Sequence, residues 1–150
     1  ARRWFYLDEL ERTVGDRLRV ITAEARSYLG VTSVGHRRYD VVVSDCFGGA
    51  EPVRELATVE ALRLVRGSLN PGGIYVANIV SATRGSDVTF LRDCVATALE
   101  VFARAWVVPC GDTEFGSEEN YLLIASDGDY AFAEAVPFDV DFLGTALHDK

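Results

Sequence analysis

The chain has 150 residues, 49% of them hydrophobic and 25% charged, which suits one soluble globular domain with a sizeable core and is short for two. A formal net charge of −8 argues against binding a nucleic-acid backbone, which needs clustered Lys and Arg. No apolar run approaches the roughly 18 residues of a membrane span, and the start, Ala1-Arg2-Arg3-Trp4, lacks the apolar core of a signal peptide.

Trp4, Phe5, Leu7, Leu10 and Val14 recur at helical spacing, so residues 2–14 are expected to form an amphipathic helix ended by Gly15. Residues 17–22 read as a short strand, and 24–29 as one or two helical turns closed by Gly30. Residues 39–45 carry Val41, Val42 and Val43, three β-branched residues in a row, the pattern of a strand buried in a parallel sheet. Residues 47–52 read as a flexible loop, with Glu51 held extended by Pro52. Leu56, Val59, Leu62 and Val65 share one face of a helix over 54–68, and 74–80 is a second buried strand. Ser86 or Asp87 is placed to cap a helix running to Phe102. Trp106–Cys110 and Tyr121–Ala125 are the last strands, joined by a polar loop that suits a hairpin, and a loose acidic tail is expected after Asp127, over 128–150.

Alternating helices and strands imply an α/β fold: a mostly parallel sheet, helices on both faces, right-handed crossovers and a C-terminal antiparallel strand. The whole of 1–150 reads as a single domain. A sheet of this kind is normally fed by a strand before its first helix, so the first strands are expected to be missing. The chain also contains no Met, which points to trimming or truncation.

Cys46, Cys94 and Cys110 are odd in number and have no metal-ligand spacing, so reduced thiols in a cytoplasmic setting and no bound metal are expected. Cys94 and Cys110 read as packing residues. Cys46 adjoins the candidate site, but neither His36 nor His148 is placed by the sequence to activate it.

Chemistry is expected where the strands end, because ligands of open α/β sheets bind outside the strand carboxyl ends. Ala23-Glu24-Ala25 follows the first strand, Asp45-Cys46-Phe47 the second, and Asn78 with Ser81 the third. Gly48-Gly49 would let the loop backbone approach a ligand closely. Asp45 could instead only cap a turn. Together these residues describe a small-molecule crevice with two acids and an amide.

The ordered series Arg17-Leu-Arg-Val-Ile-Thr-Ala-Glu-Ala-Arg-Ser-Tyr-Leu29, Tyr39-Asp-Val-Val-Val-Ser-Asp-Cys46, Pro52 with Leu56-Ala-Thr-Val-Glu60, and Leu69-Asn-Pro-Gly-Gly-Ile-Tyr-Val-Ala-Asn78 resembles the polyamine aminopropyltransferase family. Spermidine synthase is its main member. The likeness covers residues 1–126, and Asn120-Tyr-Leu-Leu-Ile-Ala125 is most similar to the bacterial spermidine-synthase-like branch. It implies a Rossmann-like domain of the S-adenosylmethionine methyltransferase type. It also implies decarboxylated S-adenosylmethionine, or S-adenosylmethionine itself, as cosubstrate, a polyamine as acceptor, and no metal. A homodimer is compatible with it, and neither nucleic acid nor a membrane is among the partners it implies.

By that resemblance Glu24 stands where the family has the Asp of Gly-Asp-Ala, which accepts from the adenine amino group, and the backbone N–H of Ala25 contacts the ring. Asp45 matches the first Asp of the family's Asp-x-x-Asp signature, which helps hold the substrate amine and gives Asp45 a catalytic place. The second Asp, associated with deprotonating that amine, falls on Gly48, which cannot act as a base. Asn78 stands where synthases often have Gln, on the substrate side. Glu51 could replace the missing base, although an exposed loop glutamate is the plainer reading. The glycine-rich loop and the ribose acid of the family would precede Ala1. A methyltransferase using S-adenosylmethionine and a non-catalytic interaction domain are the competing readings, and Gly48 favours both.

Overall fold

Three helices pack in a single layer on a four-stranded sheet in the computed structural model, which describes residues 2, 4–35, 38–48, 51–82, 88–111 and 118–150. The elements in chain order are α1 (Leu7–Val14), α2 (Ala25–Val34), β1 (Tyr39–Ser44), β2 (Phe47–Gly48), β3 (Glu51–Pro52), α3 (Val59–Ser68), β4 (Leu69–Ala82), α4 (Thr89–Val101), β5 (Arg104–Pro109) and β6 (Glu118–Ser126). Short 3-10 turns occupy Gly15–Arg17, Arg54–Leu56 and Val140–Phe142.

The strand order is β1-β4-β6-β5. β1 runs parallel to β4, with Val41 opposite Ile74 and Ser44 opposite Ala77. β6 is antiparallel to β4 on one side and to β5 on the other, so β1, β4 and β5 share a direction and β6 alone is reversed. The last two strands do pair with each other, as their adjacency suggests. β6 nevertheless inserts between β4 and β5, leaving β5 at an edge.

Alternate residues of each strand face the helices. Tyr75, Ala77 and Ile79 of β4 and Tyr121, Leu123 and Ala125 of β6 are buried there, with Val107 of β5. Val59, Leu62 and Val65 of α3 and Leu91, Cys94, Val95 and Ala98 of α4 close over them. Tyr75 stacks parallel to Phe102, with ring centroids 6.2 Å apart. Thr58 begins α3 by accepting from the N–H of Ala61, which is why the helix expected over 54–68 starts only at Val59. α2 runs on to Val34 through Gly30, because its far end is held on α3. Thr32 Oγ1 lies 3.3 Å from Ser68 Oγ there, and Ser33 lies close against Gly67.

Three expectations need correction. Residues 18–24 form no strand among the described residues, and Val20 and Ile21 are exposed, since β-branched composition makes a strand only where a neighbour supplies hydrogen bonds and a surface. The first helix is only Leu7–Val14, and Trp4, Phe5 and Leu10 are exposed. The described part of the 47–52 loop is a small antiparallel ladder, Phe47 opposite Pro52 and Gly48 opposite Glu51. α3 and α4 pack on the sheet and α2 packs on α3, while Val41 and Val43 of β1 are half exposed or more. Gly49, Ser86 and Asp87, and most of the polar loop before β6, lie outside the described residues.

The residues after Asp127 follow the surface of the body, where the sequence suggests a loose tail. The Tyr130 hydroxyl donates to the Gly72 carbonyl at 2.7 Å, the Val136 N–H to the Val107 carbonyl at 2.9 Å, and the Trp106 and Phe132 rings meet edge to face. Phe138, Phe142, Leu143, Ala146 and Leu147 pack against the core.

Leu123→Ala is expected to cost about 2–5 kcal/mol of unfolding free energy, since it removes a fully buried side chain between the sheet and the helices. Val43→Thr, on the uncovered face, should change stability by less than about 0.5 kcal/mol. Urea unfolding of both variants checks the contrast.

Candidate functional site

The site grows from the register of the two parallel strands. Ser44 lies opposite Ala77, so the next residues, Asp45 just past the carboxyl end of β1 and Asn78 within β4, which runs on to Ala82, emerge side by side. Asn78 Nδ2 donates to Asp45 Oδ1 at 3.0 Å. Asn78 belongs to the face of β4 opposite Ala77 and Ile79, away from the helices. Its Oδ1 is buried and accepts no hydrogen bond among the described residues. A desolvated amide oxygen without a donor costs about 1–3 kcal/mol.

Glu24 sits at the other sequence-predicted strand end and caps α2. Its Oε2 accepts from the N–H of Ser27 at 2.7 Å and its Oε1 from that of Arg26 at 2.8 Å. The bonds from Ser27 and then Arg26 hold its carboxyl below the usual carboxylate range. Ala25 opens the helix and lines an apolar cavity of about 320 Å³ shared with Tyr28, Val42, Ser44, Cys46 and Leu56. Asp45 and Asn78 are thus brought into contact, and Ala25 faces the residues flanking Asp45. Glu24 makes no hydrogen bond to either Asp45 or Asn78 among the described residues. Sequence reasoning placed all four at strand ends; Asp45 does follow β1, whereas Asn78 lies inside β4, which continues to Ala82, and Glu24 and Ala25 follow a stretch that forms no strand.

Two participants were missed. Tyr75 forms part of the cavity wall, and burial pushes its hydroxyl pKa well up, partly offset by a hydrogen bond with Ser44. Nothing distinguishes it in sequence from a packing residue of a buried strand. Arg26 donates to the Glu55 carbonyl at 2.7 Å and to Thr58 Oγ1 at 3.0 Å, and it pairs with Asp149 at 2.5 Å. A partner 123 residues away leaves no signal in a local pattern. Cys46 is exposed, and its carbonyl accepts from the Val53 N–H at 3.2 Å, closing the small ladder. Among the described residues no three His, Cys, Asp or Glu side chains gather where they could hold a metal ion, and no helix is long and apolar enough to cross a membrane.

No family model matches the chain. Over 80 residues, 52% of its length, it is 31% identical to a probable polyamine aminopropyl transferase of Bifidobacterium longum, of which that stretch is 17%. It superposes on a probable spermidine synthase from Corynebacterium glutamicum with a TM-score of 0.66 at 27% identity, over 84% of this chain and 46% of that one. The chain is spermidine synthase-like. A spermidine synthase solved in complex with the transition-state analogue AdoDATO shares the fold at a TM-score of 0.61 and 19% identity, over 82% of this chain and 41% of that one. This spermidine synthase-like chain therefore spans less than half the length of those two structures, and the fold they share is the Rossmann-like methyltransferase type.

Glu60 borders the site's outer layer, where it receives the Asp149 N–H at 3.0 Å and lies 3.2 Å from His148 Nδ1. The Asp149 N–H foremost, then its own backbone N–H and His148, pull its pKa from 4.5 to about 2. A lowered folded-state pKa stabilises the fold above the unfolded value and loses that contribution as pH falls through the folded value. The Asp149 amide signal should therefore keep its position down through pH 4.5 and move only as pH nears 2. An NMR titration checks this, and a midpoint near 4.5 would contradict it.

Proposed function

We propose that this aminopropyl transferase-like domain transfers an aminopropyl group from decarboxylated S-adenosylmethionine to the amine of a polyamine. Asp45 and Asn78 hold the amine, and Glu24 and Ala25 hold the adenine side of the cosubstrate. The reading is carried by the Asp45–Asn78 pair: a carboxylate hydrogen-bonded to an amide whose own oxygen is buried without a donor. Two adjacent acceptors of this kind suit an ammonium or amine, which brings several N–H donors to one point. The likeness to aminopropyl transferase and spermidine synthase sequences supports the same chemistry.

In the reaction the uncharged amine nitrogen forms a bond to the methylene beside the sulfonium. The carbon–sulfur bond breaks with its electron pair going to sulfur, leaving a neutral thioether. The extra proton on nitrogen then leaves to Asp45 or to water. Asp45 orients the nitrogen and Asn78 fixes both, which is a positioning contribution as much as a proton-transfer one. Glu24 uses two of its roughly four acceptor positions on its own helix and retains the others for an exocyclic amino group. Because its carboxyl is held below the usual range, it stays ionised at neutral pH.

Gly48 stands where the family resemblance places the proton acceptor, so transfer by this chain should be slow. Loss of one proton-transfer group costs about 10²–10⁴ in rate. Gly48 also favours a second reading, a methyltransferase using S-adenosylmethionine, where no second acid is needed at that point.

Calorimetry with decarboxylated S-adenosylmethionine and putrescine, followed by mass detection of product, tests the proposal. Asp45→Ala should abolish putrescine binding, Glu51→Ala should leave it unchanged, and Gly48→Asp should raise product formation. Putrescine binding that survives Asp45→Ala would remove the assignment. Methylated product from S-adenosylmethionine would replace it with the second reading.

A further inference from the structure

The first turn of α2 is held by groups from two distant parts of the chain. Only Thr32 in α2 is buried, and the contacts of Thr32 and Ser33 with α3 lie in the helix's second half. Its first turn is tied by the Tyr28 hydroxyl, 3.2 Å from that of Tyr39 on β1, and through Arg26, whose guanidinium reaches the Glu55 carbonyl, Thr58 Oγ1 and Asp149 Oδ2. Thr58 in turn donates to Asp149 Oδ1 at 2.7 Å and accepts from Arg26 and from the Ala61 N–H. A hydroxyl has one donor and two acceptor positions, so the Thr58 hydroxyl is fully used in this triangle.

Asp149 is delivered to that point by a strap laid across α4 and α3. The Gly144 N–H donates to the Arg92 carbonyl at 3.2 Å, the Thr145 N–H to Asp93 Oδ1 at 2.8 Å and the Leu147 N–H to Thr97 Oγ1 at 2.9 Å. The Leu147 carbonyl accepts from the Val59 N–H at 2.8 Å. Gly144 fits only because it has no side chain: a Cβ there would lie 2.2 Å from Asp93 Oδ1 and 2.7 Å from the Asp93 nitrogen.

We propose that Asp149 is a positioning residue of the cosubstrate side of the site. Through Arg26, whose N–H also binds the Glu24 carboxylate, the strap Gly144–Asp149 sets where the Glu24–Ala25 turn stands relative to the end of β1. The proposal rests on the aminopropyltransferase-like reading for what that turn binds; the mechanical link from Asp149 to Glu24 does not depend on it. Asp45 and Asn78 lie on other elements, so the amine side is outside the strap's reach.

The test uses the full chain with Asp149→Ala and, independently, Gly144→Ala, which displaces the strap without touching the Arg26–Asp149 pair. Amide hydrogen exchange at Arg26 and Ser27 should quicken about two- to fivefold in both, the worth of a partly exposed ion pair. Amides inside β6 should keep their wild-type rates in both, and those inside α4 in Asp149→Ala, since only Gly144→Ala presses on the α4 backbone at Asp93. The dissociation constant for decarboxylated S-adenosylmethionine should rise by a similar factor while that for putrescine stays unchanged. Wild-type exchange at Arg26 and Ser27 in Asp149→Ala would overturn the proposal. In Asp149→Ala, exchange rising equally through α3 and α4 would also overturn it, by making the strap a general staple. If the wild-type chain binds no decarboxylated S-adenosylmethionine, the functional reading of the turn falls, and the exchange experiment still decides the strap.

Discussion

The parallel register of β1 on β4 is the constraint on which the arrangement of the site depends. Between Tyr39 and Val41 the pairing partner moves from Leu69 to Ile74, a step of two residues on β1 against five on β4. Asn70-Pro71-Gly72-Gly73 absorbs the difference. Gly72 takes a φ of +74°, and a Cβ on Gly73 would lie 2.9 Å from the Asn70 carbonyl oxygen. A residue with a side chain does not take the place of either glycine without strain. Beyond it the strands run in step, and Asp45 arrives beside Asn78. A slip of one residue would turn every following side chain of β1 to the opposite face and part the two.

The one-sided sheet gives the two faces different tasks. The helix-covered face holds the core, and Tyr75 links that core to the cavity beside Ala25. The opposite face carries Asn78 together with the exposed Val41 and Val43, so its polar pair stands at the border of an open apolar surface. An amide oxygen buried there without a donor is a strained place in an otherwise well-satisfied structure. Such places are expected where a ligand completes the bonding.

The residues after Asp127 contribute hydrogen bonds more than regular structure. The Asp127 carboxylate itself binds Arg66 and the Ala103 N–H, tying α3 to the start of β5. Tyr130 braces the Gly72 bend that sets the register, and the strap ending at Asp149 braces the first turn of α2. One irregular stretch therefore touches both determinants of the site, the strand register and the helix start.

The repeating alternation of apolar runs with helical patterns was enough to find β1, α3, β4, α4, β5 and β6, because burial on one face imposes a period that survives in the residues themselves. Asp45 was legible for the same reason, following an apolar run that ends at the carboxyl end of β1, whereas Asn78 lies inside β4, which runs on to Ala82. The strand once expected over residues 17–22 was not secured by its composition, since Val20 and Ile21 find no neighbour to pair with. Nor could any local pattern reveal that β6 enters between β4 and β5, that Asn78 Oδ1 is left without a donor, or that Asp149 reaches Arg26. Those facts depend on which surfaces meet after the chain has folded, and partners 33 or 123 residues apart share no periodicity through which a sequence could announce them.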